Sequence, residues 1–432
     1  MVMSPAMWAI GKIILAFAFM LFAISRKWSL WLAILSGGLF LALLFNLSFL
    51  DIGAIAVGTL VQPDFLSLFS VVICILLLSA VQGSSGQGQR LVAGLRPYIK
   101  SARLRLIFFP ALIGLLPMPG GAIFSCPMVQ DVADELDMTE RHKVLINYWF
   151  RHIWESVWPL YPGYILACSL ANIPLLLLWR YTFPFIFISV AVGWFLLLRI
   201  PIKTRSGKNG DFETKKPLAS VLAEALPIIT AIAAAPLYGK CFALFGIIPP
   251  NGAPFVCSFL TATCIALKQN SLPFSIVPRL LLQRQTVNML ALVLMIFFFK
   301  ELVIAANVVD ALATILSGKS AMLVLFFFLP FLMGILTGLM LGFVGAAFPL
   351  LIGLLEQAGM YDERLCWIML GLFAGNFGQM LSPLHSCYLV TLEFFKVPMA
   401  ETWRSVSRAA VCQIVLSAGY AIILYYTLHP LL

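Results

Sequence analysis

The sequence predicts an all-α polytopic membrane protein built as two inverted repeats of five transmembrane helices, each with a re-entrant hairpin. Of its 432 residues, 62% are hydrophobic and 11% are charged, and the mean hydropathy is +1.00. A soluble domain is about half apolar and a quarter charged. About ten apolar stretches reach the roughly 20 residues that a spanning helix needs, and they lack the alternation of a β-barrel.

The repeat is indicated by broken apolar stretches that recur. FPALIGLLPMPGGAIFSCPMVQDVADELDMTERHKV begins at Phe109, and LPFLMGILTGLMLGFVGAAFPLLIGLLEQAGMYDERL begins at Leu329. Pro110 and Pro330 are 220 residues apart, and Tyr164 and Tyr388 are 224 apart. Interrupted segments at matching positions of two halves point to the binding site of a transporter. The alternative is chance recurrence of Pro, Gly and Phe in an apolar chain.

Hydropathy divides the chain into a first repeat (1–200), a basic linker (201–217) and a second repeat (218–432). We expect re-entrant hairpins at about 104–136 and 323–358, with a conventional pair of spans as the alternative for each. The predicted helices cover 5–24, 28–49, 65–82, 143–169, 174–200, 218–247, 252–268, 286–308, 365–394 and 405–428.

The distribution of basic residues predicts the orientation, because cytoplasmic loops are rich in Lys and Arg. With both termini outside, inner loops hold 21 of the 28 Lys and Arg residues. This accounts for the net charge of +10 without a nucleic-acid partner. Five spans in the first half invert the second, unless a hairpin truly spans. The N-terminus has no basic n-region or cleavage site, so we expect a retained helix rather than a signal peptide.

The cysteine pattern argues against disulfides, metal sites and bound cofactors. The nine cysteines are scattered, most of them inside apolar stretches, and no CxxC pair occurs. Small packing residues are the better interpretation.

The hairpin tips are candidate substrate sites because their backbone cannot continue a helix. In the first tip, Pro119, Gly120, Gly121 and Ser125 lie between half-helices. A half-helix N-terminus presents free N–H groups that suit an anion. The second tip, with Thr337 and Gly345, is less polar. A packing kink is the alternative interpretation.

The polar segment NYWFRHIWE provides the most specific candidate residues. Asn147 and Arg151 are candidates for substrate binding, and Glu155 and His152 are candidates for carrying a coupling proton. Arg151 can hold a carboxylate or phosphate in its bidentate fork. Arg151 and Glu155 have i, i+4 spacing, so a helix would let them pair. A self-neutralising structural pair is the alternative.

The corresponding segment of the second half is GNFGQMLSPLHSC. Its candidate substrate-binding residues are Asn376, Gly378, Gln379 and Ser382. Amide and hydroxyl groups can bind a substrate or Na⁺ without carrying charge. A packing role for the small residues is the alternative.

GNFGQMLSPLHSCYLVT resembles the segment after the second hairpin in the ion transporter superfamily, which includes gluconate permeases, citrate carriers and dicarboxylate symporters. PMPGGAIFSCPMVQDVADEL with NYWFRHIWE is most similar to an uncharacterised prokaryotic family related to gluconate permeases. The resemblance implies inverted repeats with opposed hairpins, an elevator-type homodimer in the inner membrane, and transport of organic anions. The Ser-Asn-Thr signature of sodium-coupled members is missing from both tips, which favours H⁺ over Na⁺.

The sequence therefore predicts a secondary transporter of small organic anions, of carboxylate or sugar-acid type, and not an enzyme. A Na⁺-coupled carrier or an exporter of the same fold is the alternative. A channel is less favoured because no ring of polar residues occurs. An intramembrane hydrolase could use Ser125, Cys126 and His385, but these residues form no recognisable catalytic motif.

Overall fold

The computed structural model describes residues 5–115, 121–198, 217–247, 252–313 and 318–428. Helices account for the regular structure of these ranges, which contain no strand. The predicted linker, apart from Pro217, lies outside the described residues.

The helices of the first half are, in order, α1 (Pro5–Ser25), α2 (Leu30–Leu44), α3 (Phe49–Val61), α4 (Pro63–Ser85), α5 (Gln87–Leu95), α6 (Ala102–Gly114), α7 (Ala122–Asp134), α8 (Glu140–Arg151), α9 (Pro162–Leu170), α10 (Leu175–Thr182) and α11 (Phe185–Gly193). Those of the second half are α12 (Leu218–Leu244), α13 (Ala253–Gln269), α14 (Ile276–Leu281), α15 (Arg284–Ala305), α16 (Val308–Ala313), α17 (Lys319–Thr337), α18 (Met340–Gln357), α19 (Arg364–Leu381), α20 (Ser386–Phe395) and α21 (Met399–Leu428).

The prediction of a multi-pass, all-helical membrane protein is confirmed. Within the described residues, eight helical segments are long and apolar enough to cross a membrane. They are α4, α10–α11 with its π-helical extension, α12, α15, α17, α18, α19–α20 and α21. Several short helices, among them α3 and α5, were not predicted from the sequence.

The prediction is wrong for two helices, each of which is interrupted by a non-helical segment. The predicted helix 143–169 ends at Arg151 and resumes at Pro162, and the predicted helix 365–394 is interrupted at 382–385. Each interruption contains a proline, which removes a backbone donor and clashes with the preceding turn. The chain therefore exposes backbone groups in the middle of two apolar segments.

The two predicted hairpins are each a pair of helices in contact, α6 with α7 and α17 with α18. The 13 residues of α6 and the 13 of α7 each give a length of about 20 Å, less than the roughly 30 Å of the hydrocarbon core. The 19 and 18 residues of α17 and α18 also suit conventional spans. Re-entry of both hairpins stays a prediction.

The halves pack against each other through reciprocal contacts. Helix α7 of the first hairpin contacts α20, and α18 of the second hairpin contacts α9. Both α9 and α20 begin directly after an interruption. The non-helical segments are therefore held between the hairpin of one half and the short helix of the other.

Helices α17 and α19 lie unusually close together, because glycines face backbone on both sides. A Cβ at Gly334 would meet the carbonyl oxygen of Gly375, and one at Gly378 would meet that of Phe331. Such small-residue contacts let membrane helices approach closely.

We predict that Gly334→Ala lowers the melting temperature of the purified protein, because the added methyl group would lie 2.8 Å from the amide nitrogen of Gln379 and closer to the Gly375 carbonyl. Overpacking of this kind costs about 1–3 kcal/mol. Gly239→Ala in α12 is the matched control, since nothing lies within 4 Å of its Cβ position. Helix propensity alone favours alanine by about 1 kcal/mol at both positions. Equal melting temperatures for the two variants would contradict the close packing.

Candidate functional site

A cavity of about 300 Å³ lies where the two interruptions meet the second hairpin. Its walls combine apolar side chains, such as Leu76, Met289 and Leu341, with a few polar ones. The polar residues of its lining are Arg151, Glu155, Tyr161, Gln285, Thr337, His385, Ser386 and Cys387. A small, mostly apolar cavity with few convergent polar groups is the usual form of a small-molecule site.

Three helices begin at this cavity. Pro162 and Gly163 of α9, Met340 and Leu341 of α18, and Ser386 and Cys387 of α20 all line it. A helix N-terminus carries free N–H groups and a partial positive charge of about half a unit. Helices α8 and α17 end at the cavity, and Arg151 supplies a full positive charge at the end of α8. The three helix N-termini and the guanidinium of Arg151 together favour an anion.

Arg151 is 3% exposed and is held against both halves of the chain. Its Nη1 donates to Sγ of Cys387 at 3.0 Å and lies 3.4 Å from Nε2 of His152. A Cβ on Gly121 would collide with its guanidinium, so only glycine leaves room for the side chain at the start of α7. This close approach gives Gly121 the role of shaping the Arg151 pocket.

Glu155 joins the two interrupted segments. Nε2 of Gln379 donates to Oε2 of Glu155, and these two residues are 224 apart in sequence. Oε1 of Glu155 lies 3.9 Å from Nε2 of His152. The predicted common helix face of Arg151 and Glu155 is wrong, because α8 ends at Arg151 and the chain turns before Glu155. The two charges still attract each other. Both side chains nevertheless reach the same cavity.

Two histidines meet beside Arg151. Nε2 of His152 and Nε2 of His385 are 2.9 Å apart, and Nδ1 of His152 contacts the carbonyl oxygen of Tyr148. One ligand atom from each of His152, His385 and Cys387 lies within 4.8 Å of the others, a spacing that a thiophilic metal could bridge. The guanidinium at 3.0 Å from the sulfur opposes a cation there.

A second buried polar group surrounds Asn147, next to the first hairpin. Nδ2 of Asn147 donates to Oγ1 of Thr391 at 3.1 Å and to Sγ of Cys126 at 3.2 Å. These contacts tie α8 to both α7 and α20. Ser125, one residue before Cys126, is fully buried and donates to the carbonyl oxygen of Ala122.

The predicted site residues differ in their relation to the cavity, and Gly121 bears on it by leaving room for the Arg151 guanidinium. Arg151, Glu155 and Thr337 line the cavity, and His152 supports it from behind. Gln379 reaches it through Glu155. The remaining described candidates lie in buried or packed positions away from its lining: Ser125, Asn147, Gly345, Asn376, Gly378 and Ser382. Pro119 and Gly120 lie outside the described residues.

Sequence patterns provide little reason to select several residues of the lining. His385 is predicted only as a possible catalytic base, and Ser386 and Cys387, which follow it in the motif LSPLHSC, have no predicted binding role. Their position after Pro383 is the signal for a role at the site, because a helix that restarts after the interruption presents its first residues to the non-helical segment. Gln285 is the second residue of the ordinary apolar helix α15 and carries no comparable signal.

A second cavity of about 260 Å³ adjoins the first and shares Leu76, Gln285 and Met289 with it. Its other polar lining residues are Ser79, Ser84, Gln283 and Thr286, and Phe124 of α7 also borders it. Together the two cavities extend from Phe124 of the first hairpin to the tip of the second hairpin.

Residues 10–424 match the protein family described as Protein of unknown function (DUF401). No curated protein matches the chain. Every residue of the cavity lies inside the matched range.

We predict that Gln379→Leu destabilises the protein more than Gln413→Leu does. Gln379 donates to a buried carboxylate, and a hydrogen bond to a charged group contributes about 1.5–3 kcal/mol. Gln413 is also buried but donates to the neutral hydroxyl of Ser189, 2.7 Å away. Denaturation midpoints in detergent would measure the difference. A double variant, Glu155→Leu with Gln379→Leu, should lose less stability than the two single variants added together. Strict additivity would contradict a direct Glu155–Gln379 interaction.

Proposed function

The chain belongs to the DUF401 family, and we propose that it is a secondary active transporter of small organic anions, of carboxylate or sugar-acid type. In this proposal transport is coupled to protons and proceeds by alternating access with an elevator-type motion. The protein would act as a homodimer in the cell membrane. The observation that carries the proposal is the buried guanidinium of Arg151, which lines a small cavity at three helix N-termini.

The electrostatics of the cavity support an anion as substrate. An intramembrane arginine is costly and serves a functional partner in most cases. Its planar fork matches a carboxylate in a bidentate pair. The N-termini of α9, α18 and α20 add N–H donors that need no counter-charge. A cation would meet positive charge from all four sources, opposed by Glu155 and by the partial negative charges at the C-termini of α8 and α17.

Matching contacts in the two halves support inverted repeats. A Cβ at Gly114 would meet the carbonyl oxygen of Arg151, just as one at Gly334 would meet that of Gly375. The two carbonyl groups are 224 residues apart, the same offset that separates Glu155 from Gln379. Repeat-related halves that enclose a central site are a frequent frame for alternating access.

The tyrosines of the repeat provide a further correspondence. Tyr164 on α9 is fully buried and shares a hydrogen bond of 2.7 Å with Thr182. Tyr388 on α20, 224 residues later, is equally buried and shares one of 2.6 Å with Thr402. Each tyrosine anchors the short helix that restarts after an interruption. Similar anchors at matching positions favour a common origin for the two segments.

Proton coupling is supported by ionisable groups next to Arg151. Glu155 and the histidines can change charge in response to an anion on the guanidinium. No Asp or Glu other than Glu155 lines this cavity among the described residues.

A thermal-shift screen tests the substrate class. Purified protein would be melted with acetate, succinate, citrate, gluconate, glutamate or glycerol phosphate, at two pH values and with or without Na⁺. A ligand that binds only the native state stabilises it by about 2.7 kcal/mol at a concentration of 100 Kd, and the melting temperature rises accordingly. Stabilisation that depends on pH but not on Na⁺ supports proton coupling. Dependence on Na⁺ would instead favour the sodium-coupled carrier.

We predict that Arg151→Ala weakens binding of the best anion from this screen by at least about 100-fold, since a buried charge-assisted pair is lost. Arg151→Lys keeps the charge but not the planar fork, so it should retain weakened binding, reduced about tenfold. Arg26→Ala, at an exposed position on the first loop, is the control and should bind normally. Undiminished binding by a folded Arg151→Ala protein would remove Arg151 from the site.

We predict that proteoliposomes accumulate the same anion against its gradient when the lumen is alkaline, and that a protonophore abolishes the accumulation. A carrier needs the gradient as its energy source, whereas a channel only equilibrates the anion. The measurement is radiolabelled uptake with and without the ionophore. Uptake that stops at equal concentrations under a maintained pH gradient would indicate a channel.

A further inference from the structure

The hydrogen bonds around His152 fix where its proton lies. Nδ1 of His152 contacts the backbone carbonyl oxygen of Tyr148, which can only accept a hydrogen bond. Nδ1 must therefore carry the hydrogen. A neutral imidazole has one N–H, so Nε2 of His152 is an acceptor. Nη1 of Arg151 donates to this nitrogen from 3.4 Å, and a second, closer donor faces it.

That donor is His385. Its Nε2 lies 2.9 Å from Nε2 of His152 and must supply the hydrogen between the two nitrogens. In the neutral ring this leaves the lone pair on Nδ1 of His385. No donor reaches this Nδ1 in the described part of the chain, although the residue is 3% exposed and lines the cavity. The structure thus holds a buried basic nitrogen whose lone pair is unused.

We propose that His385 is the proton-accepting group of the cavity and that His152 is a positioning residue that fixes its tautomer. The inference rests on the proposed function, and it replaces His152 and Glu155 as the groups expected to carry the proton. A proton from cavity water would bind Nδ1 of His385 and form an imidazolium, while the Nε2 hydrogen stays bonded to His152. The protonated ring and Arg151 would then present two positive groups to one carboxylate.

The second hairpin is placed to respond to this proton. The backbone of Gly338 lies beside the His385 ring and can accept a hydrogen bond from it. A Cβ at Gly338 would meet Cα and the amide nitrogen of His385, both at 2.9 Å, so the turn between α17 and α18 packs directly on this residue. Protonation would therefore add a hydrogen bond between His385, which directly precedes α20, and the tip of the second hairpin.

The surrounding charges distinguish His385 from Glu155. The titratable and charged groups around the ring are Tyr148, Arg151, His152, Glu155, Tyr161 and Cys387. Glu155 already accepts from Gln379 and provides the negative charge that accompanies a protonated His385. An anion on Arg151 would add a second negative charge. Anion and proton should therefore bind cooperatively, each raising the affinity for the other by the same factor.

The first experiment needs no substrate. The sequence contains four histidines, so ¹⁵N-histidine-labelled protein in lipid nanodiscs gives a spectrum simple enough to assign with His142→Gln, His152→Gln and His385→Gln. We expect a neutral His152 with its hydrogen on Nδ1 and a neutral His385 with its hydrogen on Nε2. Acidification should then protonate Nδ1 of His385. A hydrogen on Nδ1 of neutral His385, or a ring that never charges between pH 4 and pH 9 (roughly two to three units either side of the usual histidine value), would overturn the proposal.

The second experiment measures acetate and succinate binding against pH. In the unaltered protein, affinity should fall about tenfold per pH unit above the midpoint of the titration, since one proton is linked to one anion. His385→Gln keeps an N–H donor for His152 but cannot take up a proton, so its affinity should not vary with pH. His142→Gln is the matched control and should keep the full pH dependence. The histidine that it removes is hydrogen-bonded to Thr139 and lies in the first turn of α8, at the opposite end of this helix from Arg151.

The outcomes separate the two proposals. If neither acetate nor succinate binds the unaltered protein, the substrate class is wrong for these probes, and the NMR titration still decides the role of His385. If the pH dependence of binding survives in His385→Gln but is lost in Glu155→Gln, Glu155 carries the proton and the inference about His385 fails. The proposed anion transport would stand in that case.

Discussion

Burying the charge of Arg151 is the constraint on which the rest of this structure depends. A guanidinium within an apolar segment is tolerated only where partners replace water. The chain provides the Cys387 sulfur, an adjacent imidazole and a nearby carboxylate, drawn from both halves. It also omits a side chain at Gly121, where any Cβ would displace the guanidinium. Loss of the partners that either half of the chain provides would remove part of what stabilises this buried charge.

The helix interruptions follow from the same requirement. A continuous helix through Arg151 would satisfy its own backbone and would remove the N-terminus of α9 from the cavity. The breaks create N-termini, but they expose carbonyl and amide groups that lipid cannot satisfy. Side chains of the interrupted segments in turn bond to carbonyls in the last turns of the hairpin helices: Tyr161 donates to the carbonyl of Gly114 in α6, and Ser382 donates to that of Ile335 in α17. Ser382, a candidate for substrate binding, thus has a structural task that occupies its hydroxyl.

Hydropathy could predict the helical membrane fold and the approximate place of each long helix, because spans need length and apolarity alone. Pro159, Pro162 and Pro383 in otherwise apolar segments signal the breaks, but the helices predicted at 143–169 and 365–394 run through them. Hydropathy could not show that α8 stops at Arg151. Helical spacing therefore paired Arg151 with Glu155, while the turned backbone sends Glu155 to Gln379 instead. Contacts between residues more than 200 positions apart depend on how the halves pack, which local pattern does not encode.

The Glu155–Gln379 bond gives the proposed mechanism its asymmetry. The two residues are separated by the same offset as the repeated tyrosines, so in the inverted-repeat interpretation they are equivalents that meet near the pseudo-two-fold axis. One carries a charge and the other does not. Likewise, Arg151 corresponds to Gly375 and has no second copy. In the proposed mechanism, a symmetric frame would let the two halves exchange roles between inward-open and outward-open states. A single arginine and a single carboxylate on that frame would give both states the same substrate site, which alternating access requires and two independent half-channels would not.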